Sequence, residues 1–151
     1  MSYVATAGGP PSCVFCAALS AGDDRRALIV HRGTQAFLIL NKFPYASGHL
    51  MAAITRHAGA LGDATPEELG EAMELVRAGI RALEAAYHPD GFNVGVNQGR
   101  VAGAGVPDHL HVHVVPRWDG DANFMQVIGD TRVLPESLEA TYDRLSAALH
   151  P

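Results

Sequence analysis

The 151-residue sequence has no apolar run approaching the roughly 18 residues that a membrane-spanning helix needs. Its first residues, Met1 to Ser12, lack both a basic stretch and an apolar one. A flexible tail over residues 1–12 is expected there rather than a signal peptide, and with it a cytoplasmic location. There is no basic stripe and no arginine-rich run. Eleven Lys and Arg stand against 16 Asp and Glu, for a net charge of −5. Sequence-independent grip on a polynucleotide needs such a stripe, so nucleic acid polymers are excluded as partners. A mononucleotide or dinucleotide is not, because a few local donors suffice for one phosphate chain. Repeats, low-complexity linkers and a second domain are also absent, which leaves one domain over residues 13–151.

Cysteine is scarce. The two present, Cys13 and Cys16, form a C-x-x-C pair. In a cytosolic protein that spacing favours a metal or redox role over a structural disulfide. A thioredoxin-like role does not fit, because no βαβ pattern follows. Two thiolates at this spacing suit a structural zinc, which needs two more ligands. A metal-free pair of buried thiols is the alternative.

What the chain does have is apolar content and histidine. Hydrophobic residues make up 48% and charged ones 18%, the balance of a folded chain. A chain of this length buries about two thirds of its unfolded surface. Ala36 to Leu40 reads as a strand, Asn41 to Gly48 as a turn, and His49 to Ile54 as the returning strand. Thr65-Pro66-Glu67-Glu68 carries an N-cap hydroxyl, a proline at the first helical position and a capping-box glutamate. Leu69, Met73, Val76, Ile80 and Leu83 follow at helical spacing, and the helix should stop near Tyr87, before Pro89. Further strands are expected at Phe92 to Val96 and His109 to Val115, the latter ended by Pro116. A last helix is expected from Pro135. This order predicts an α+β fold with an antiparallel sheet of about five strands and two main helices.

Five of the eight histidines fall in candidate motifs. Three lie in His109-Leu110-His111-Val112-His113-Val114-Val115. On a strand, alternate side chains share a face. The three imidazoles therefore stand together, about 6.5–7 Å apart at their α-carbons, with Leu110, Val112 and Val114 on the core side. Imidazole is the side chain that serves as nucleophile, donor or acid near neutral pH. Two chemistries follow. His109, His111 and His113 could together hold a catalytic zinc with an open position for water. Alternatively the middle histidine attacks phosphorus while its neighbours bind and protonate the phosphate.

The surrounding residues favour the second chemistry. Leu40-Asn41-Lys42-Phe43-Pro44-Tyr45-Ala46-Ser47-Gly48-His49 lies upstream. Gly91 to Gly99 precedes the triplet and Pro116-Arg117-Trp118 follows it. Together with Cys13-x-x-Cys16, the chain resembles the histidine triad family from about Cys13 to the last helix. Val114 to Met125 looks like the branch that holds fragile-histidine-triad hydrolases and bacterial diadenosine tetraphosphate phosphorylases.

The resemblance implies a histidine-triad fold and a set of roles. His111 is the nucleophile of a nucleotidyl–histidine intermediate, formed from a dinucleoside polyphosphate or a nucleoside phosphoramidate. His113 contacts phosphate and His49 supports it. Asn41 meets the ribose hydroxyls, unless it is simply a turn asparagine. Gln98 reaches the bridging oxygen, and Asn97 beside it is a further substrate-binding candidate that points the other way if the strand continues. The glycine loop, Gly105 included, brings backbone N–H groups to phosphate. Gly105 and Val106 stand where many relatives carry Gln-Ser or Gln-Thr, so that hydroxyl contact is missing. The zinc ligands implied are Cys13, Cys16, His57 and His109, in a site that is structural because its ligands saturate the ion. No organic cofactor is implied. A homodimer is, with the helix after Thr65 and the strand at Phe92 to Val96 as its candidate interface. A non-catalytic nucleotide sensor on the same fold is the further alternative.

Overall fold

The two apolar runs on either side of the Asn41–Gly48 turn do pair. The computed structural model describes residues 10, 12–122, 128–129 and 134–151; the tail at 1–9 and the motif residues Asn123, Phe124 and Met125 lie outside them. Strand β1 is Ile29–Arg32, β2 Ala36–Leu40, β3 Leu50–Ile54, β4 Gly91–Gly95 and β5 His111–Arg117. They form one five-stranded sheet in the order β1-β2-β3-β5-β4, with antiparallel pairing throughout. The helices are α1 Val14–Ser20, α2 Asp24–Ala27, α3 Pro66–Tyr87 and α4 Leu138–Leu149.

Every residue of β2 and β3 is buried, so both faces of the sheet are covered. On one face Leu38, Leu40, Leu50, Ala52, Val112 and Val114 pack with Leu75, Val76 and Leu83 of α3 and Leu145 of α4. On the other, Phe37, Ile39, Met51 and Ala53 pack under Cys13, Phe15 and Cys16. Two-sided burial explains why β2 reads as a continuous apolar run with no alternation.

Helix α3 starts where its cap signals place it. Thr65 accepts from the Glu68 backbone N–H, and Glu68 accepts in return from the N–H of Thr65, an exchange worth about 1 kcal/mol. It ends at Tyr87, with His88 in the left-handed region at φ 48°. Its buried face is not the expected one. Met73 is 53% exposed, whereas Glu68, Ala72, Leu75, Gly79 and Ala82 are buried with Val76 and Leu83. The reason is close packing. A Cβ at Gly79 would lie 3.1 Å from Leu50 Cδ1, so small residues turn inward to let α3 approach the sheet. Glu68 tolerates burial because Arg56 pairs with it at 2.8 Å.

Strand β5 also departs from expectation. It begins two residues later than expected and runs through Pro116. Proline is accommodated because pairing with β3 ends at Leu50 opposite Val114, which leaves β5 a free edge on that side at Pro116. The last helix starts at Leu138, capped by the Ser137 hydroxyl, three residues after Pro135. Strand β1 and helices α1 and α2 were not anticipated by the periodicity, each being too short to show one.

Candidate active site and adjoining metal centre

Alternation along β5 puts the histidines on the sheet face under α1, with Val112 and Val114 on the α3 face. His113 lies opposite Met51 and His111 opposite Ala53. His109 precedes the strand but stays on the same side, because its ring also packs on Phe15, 5.0 Å between centroids. His111 lies 4.8 Å from Phe15 and 4.8 Å from His113 on the same measure. This face is not solvated: His109 is 1% exposed and His111 5%.

Burial and hydrogen bonding together set the state of each ring. The Nδ1 of His111 lies 2.7 Å from the backbone carbonyl of His109. A carbonyl only accepts, so Nδ1 carries the proton and Nε2 keeps a free lone pair. Burial lowers the pKa of His111, partly offset by that carbonyl, so the ring is neutral at pH 7. His113 is pushed down to about 4, by burial first and by the charge of His111 second.

His49 completes the group. It is buried at the start of β3, and its Nε2 lies 2.9 Å from His113 Nδ1. The Tyr45 backbone N–H donates to His49 Nδ1 at 3.1 Å. The glycine before it is required. Gly48 has φ +85°, and a Cβ there would stand 2.6 Å from Leu83 Cδ2.

A trough of ≈ 870 Å³ opens beside His113. Tyr45, Asn93, Gly95, Asn97, Arg117 and Trp118 are among its walls. Arg117 is held by Asp121 at 2.6 Å and by Asn93 at 2.7 Å. His111 does not line the trough; it lies one ring further in.

The other expected contacts divide. Asn97 lines the trough, whereas Gln98 turns away, its Oε1 accepting from the Leu61 backbone N–H at 2.7 Å. Both amides were expected at the substrate, Gln98 through the resemblance; Asn97 was expected to point away only if the strand continued, and β4 ends at Gly95. Asn41 accepts from the Phe43 N–H at 2.9 Å and its amide nitrogen sits 3.4 Å from His49 Nδ1, so it organises the loop as a turn asparagine does. Gly105 is exposed, in the loop between β4 and β5, and does not line the trough. Two residues that touch the rings of the histidine cluster were not singled out from sequence, Phe15 and Tyr45. Their only sequence signal is position: one inside the C-x-x-C, the other inside the loop before His49.

Directly behind His111, Cys13, Cys16, His57 and His109 offer ligand atoms that all lie within 4.8 Å of one another. Leu110 N–H donates to the Ala58 carbonyl at 2.7 Å, which draws His57 alongside His109. A tetrahedral ion with about 2.0–2.1 Å bonds to nitrogen and 2.3 Å to sulfur requires N···N near 3.3 Å and S···N near 3.5 Å. The two Nδ1 atoms are 3.3 Å apart. Cys13 Sγ is 3.3 Å from His109 Nδ1, and Cys16 Sγ is 3.4 Å from His57 Nδ1 and 3.6 Å from His109 Nδ1. His109 Nε2–H donates to the Ile54 carbonyl at 2.7 Å, which directs the Nδ1 lone pair at the thiols, as the outer partner of a metal-bound histidine does. The donor set and its spacing fit zinc. Neither cysteine is in a disulfide.

The chain is 45% identical over 119 residues to the AP-4-A phosphorylase of Mycobacterium tuberculosis, a match spanning 79% of this chain and 61% of that protein's length. It is 31% identical over 108 residues to adenosine 5'-monophosphoramidase HNT1 of Saccharomyces cerevisiae, across 72% of this chain and 64% of that one. Among solved structures, a zinc-bound histidine triad family protein from Mycobacterium smegmatis superposes with a TM-score of 0.76 at 30% identity, covering 93% of this chain and 95% of that chain. The HIT domain description matches residues 24–120, well over half the sequence and inclusive of every histidine named above, and on that ground the chain belongs to the histidine triad family.

Proposed function

We propose that this protein is a nucleotidyl hydrolase or transferase acting on dinucleoside polyphosphates of the diadenosine tetraphosphate kind. The observation that carries the reading is the 2.7 Å contact of His111 Nδ1 with the His109 carbonyl, because it leaves a neutral, deprotonated Nε2 beside a second histidine. Nε2 attacks the α-phosphorus, forming a P–N bond as the P–O bond to the departing nucleoside polyphosphate breaks. The Nε2–H of His113 donates to a phosphate oxygen as charge builds. Water or orthophosphate then attacks phosphorus, the P–N bond breaks, and His111 is regenerated. The relative named as an AP-4-A phosphorylase supports the substrate class. The yeast phosphoramidase, together with Gly105 and Val106 in place of an amide–hydroxyl pair, supports nucleoside phosphoramidates or other adenylates as the second reading. The depth of His111 favours a third, a nucleotide sensor.

Cys13, Cys16, His57 and His109 would hold a structural zinc. All four positions are taken by protein, so the ion would supply rigidity and no reacting water. No organic cofactor enters the chemistry. Strand β4 is the sheet edge away from β5, with Val94 43% exposed. It is the surface through which a homodimer would extend the sheet, with α3 as the other candidate face. Two buried cysteines outside any disulfide accord with the cytoplasm. The net charge of −5 accords with a small nucleotide rather than a nucleic acid polymer as partner. None of the helices is long and apolar enough to cross a membrane, among the described residues.

The test is incubation with diadenosine tetraphosphate, with and without orthophosphate, and identification of products by mass spectrometry. ADP with ATP, formed only when phosphate is present, identifies phosphorolysis. AMP with ATP in both conditions identifies hydrolysis. No product from the dinucleotide but turnover of adenosine phosphoramidate selects the second reading, and binding without turnover of either selects the sensor.

Within the same reading Asn97, not Gln98, is the amide that meets substrate. Asn97→Ala is expected to lower kcat/KM by roughly 10- to 100-fold, the loss of one or two hydrogen bonds to a charged group. Gln98→Ala should stay within about threefold, because it removes only the tie to Leu61. Equal losses in steady-state assays of the two variants would reverse the assignment.

A further inference from the structure

The loop between β2 and β3 places one half-exposed aromatic against the histidine pair. The Tyr45 ring centroid lies 4.6 Å from that of His49 and 6.1 Å from that of His113, inclined by only 24° to the latter. The same residue donates its backbone N–H to His49 Nδ1 at 3.1 Å, and the Asn41 amide nitrogen faces that atom at 3.4 Å. Two donors on one nitrogen make it an acceptor. His49 therefore carries its proton on Nε2 and passes it as a hydrogen bond to His113 Nδ1, 2.9 Å away. His113 must then hold its own proton on Nε2, the nitrogen left to offer the trough that His113 lines.

The opposite arrangement puts a proton on His49 Nδ1, head-on to the Tyr45 N–H. It also turns a lone pair of His113 toward the substrate's phosphate. With His113 uncharged at neutral pH, only the tautomer decides whether that ring attracts phosphate or repels it. The direction of the relay is thus set from one loop, by the Tyr45 backbone N–H at 3.1 Å with the Asn41 amide further off at 3.4 Å. The loop is tied by an Asn41–Phe43 turn and by His49 N–H to the Ala46 carbonyl at 3.1 Å. The Tyr45 ring adds contacts with both imidazoles.

We propose that Tyr45 is a positioning residue: its ring clamps the loop so that its backbone N–H fixes the His49–His113 relay in the direction that leaves the Nε2–H of His113 for the substrate's phosphate. This rests on the reading that His113 contacts phosphate. The ring is 50% exposed, so its replacement leaves the core alone.

Tautomers of 15N-histidine-labelled wild type, Y45F and Y45A, with zinc added, are to be read by NMR at pH 7 alongside kcat and KM for diadenosine tetraphosphate. Wild type and Y45F are expected to show a single Nε2–H tautomer at His49 and at His113, with kcat within about threefold of each other. Y45A is expected to show mixed tautomers at His113 and a kcat lowered about 10- to 100-fold, the range of a lost contact to charge, with KM less affected. Should Y45A fail to fold, Y45L takes its place with the same expectation. A single tautomer in the alanine variant overturns the proposal. So does unchanged kcat beside mixed tautomers, and so does an equal loss in Y45F, which would assign the role to the hydroxyl. If wild type turns over no nucleotide, the reaction assigned above fails. The tautomer measurement still decides the clamp by itself.

Discussion

His111→Ala is expected to abolish turnover of diadenosine tetraphosphate, by about 10⁴-fold or more, while the fold and any bound metal survive. The size of the effect follows from the chemistry. A covalent route loses its only attacking atom, and what remains is substrate binding and the donors around the phosphate. Survival of the fold follows from the contacts. The side chain packs on Phe15 and hydrogen-bonds one backbone carbonyl. Losing it leaves a ring-sized void worth about 3 kcal/mol, tolerable for a domain with about 5–15 kcal/mol of stability. Survival of the metal follows because the ligand cluster does not include His111.

The competing zinc-hydrolase scheme, with His109, His111 and His113 as ligands, expects the opposite: metal lost with the histidine. The geometry already disfavours it, since the Nδ1 of His111 is committed to a carbonyl and that of His113 to His49, while His109 turns its Nδ1 to the cysteines. Steady-state assays, metal analysis and acid-quench mass spectrometry of the wild type check the prediction. A nucleotidyl adduct that maps to His111 supports the mechanism. Activity in the alanine variant within tenfold of wild type would sink it.

Removing the metal ligands has the second largest effect, and it falls on stability. Cys16→Ala is expected to purify without zinc and to melt well below wild type. A ligand present a thousandfold above its Kd stabilises by about 4 kcal/mol, which for a chain of this size corresponds to roughly 10 °C in Tm. The loss should be local in origin. Helix α1 is only seven residues long, too short to persist alone. It is held by Phe15 and by the two thiols, Cys13 and Cys16. Without the ion it should fray, and amide exchange should accelerate at residues 13–20 before it does in α3.

Turnover should fall partially, because Phe15 backs both His109 and His111, and chelator treatment of wild type should reproduce the variant. One equivalent of zinc in the purified protein is the expected analysis. A wild type that contains no metal and melts identically with zinc or chelator would leave the cysteines as a metal-free buried pair.

The residues differ in how far they could be read from sequence. The histidine row was legible because strand alternation is a local rule and Leu110, Val112 and Val114 mark its other face. The ends of α3 were legible because Thr65, Pro66 and Glu68 act within one turn. Its buried face was not, because Ala72, Gly79 and Ala82 owe their inward position to the distance between helix and sheet, and periodicity ranks Met73 above them. Asn97 and Gln98 were both read as substrate-binding, but which of them faces the trough was not legible, because β4 stops at Gly95 and the loop beyond it follows no alternation. Asn41 carried both a turn signal and a ribose signal, and its hydrogen bond to Phe43 shows the turn.

The sequence by itself determined the antiparallel α+β architecture, the face shared by His111 and His113, and the family, because each depends on neighbours within a few residues. It also named Cys13 and Cys16 as zinc candidates by their spacing, and His57 and His109 as their co-ligands through resemblance. Tertiary structure decided which nitrogen of each imidazole carries a proton. That depends on where the carbonyls of His109 and Ile54 and the N–H of Tyr45 stand. It decided too that Phe15 and Tyr45 pack against the histidine rings, since contacts between α1, the β2–β3 loop and β5 join residues up to 96 positions apart. Backbone hydrogen bonding repeats along a chain and is written in its local pattern; the orientation of a side-chain ring depends on whatever the fold sets against it, and exists only once the sheet and its cover have closed.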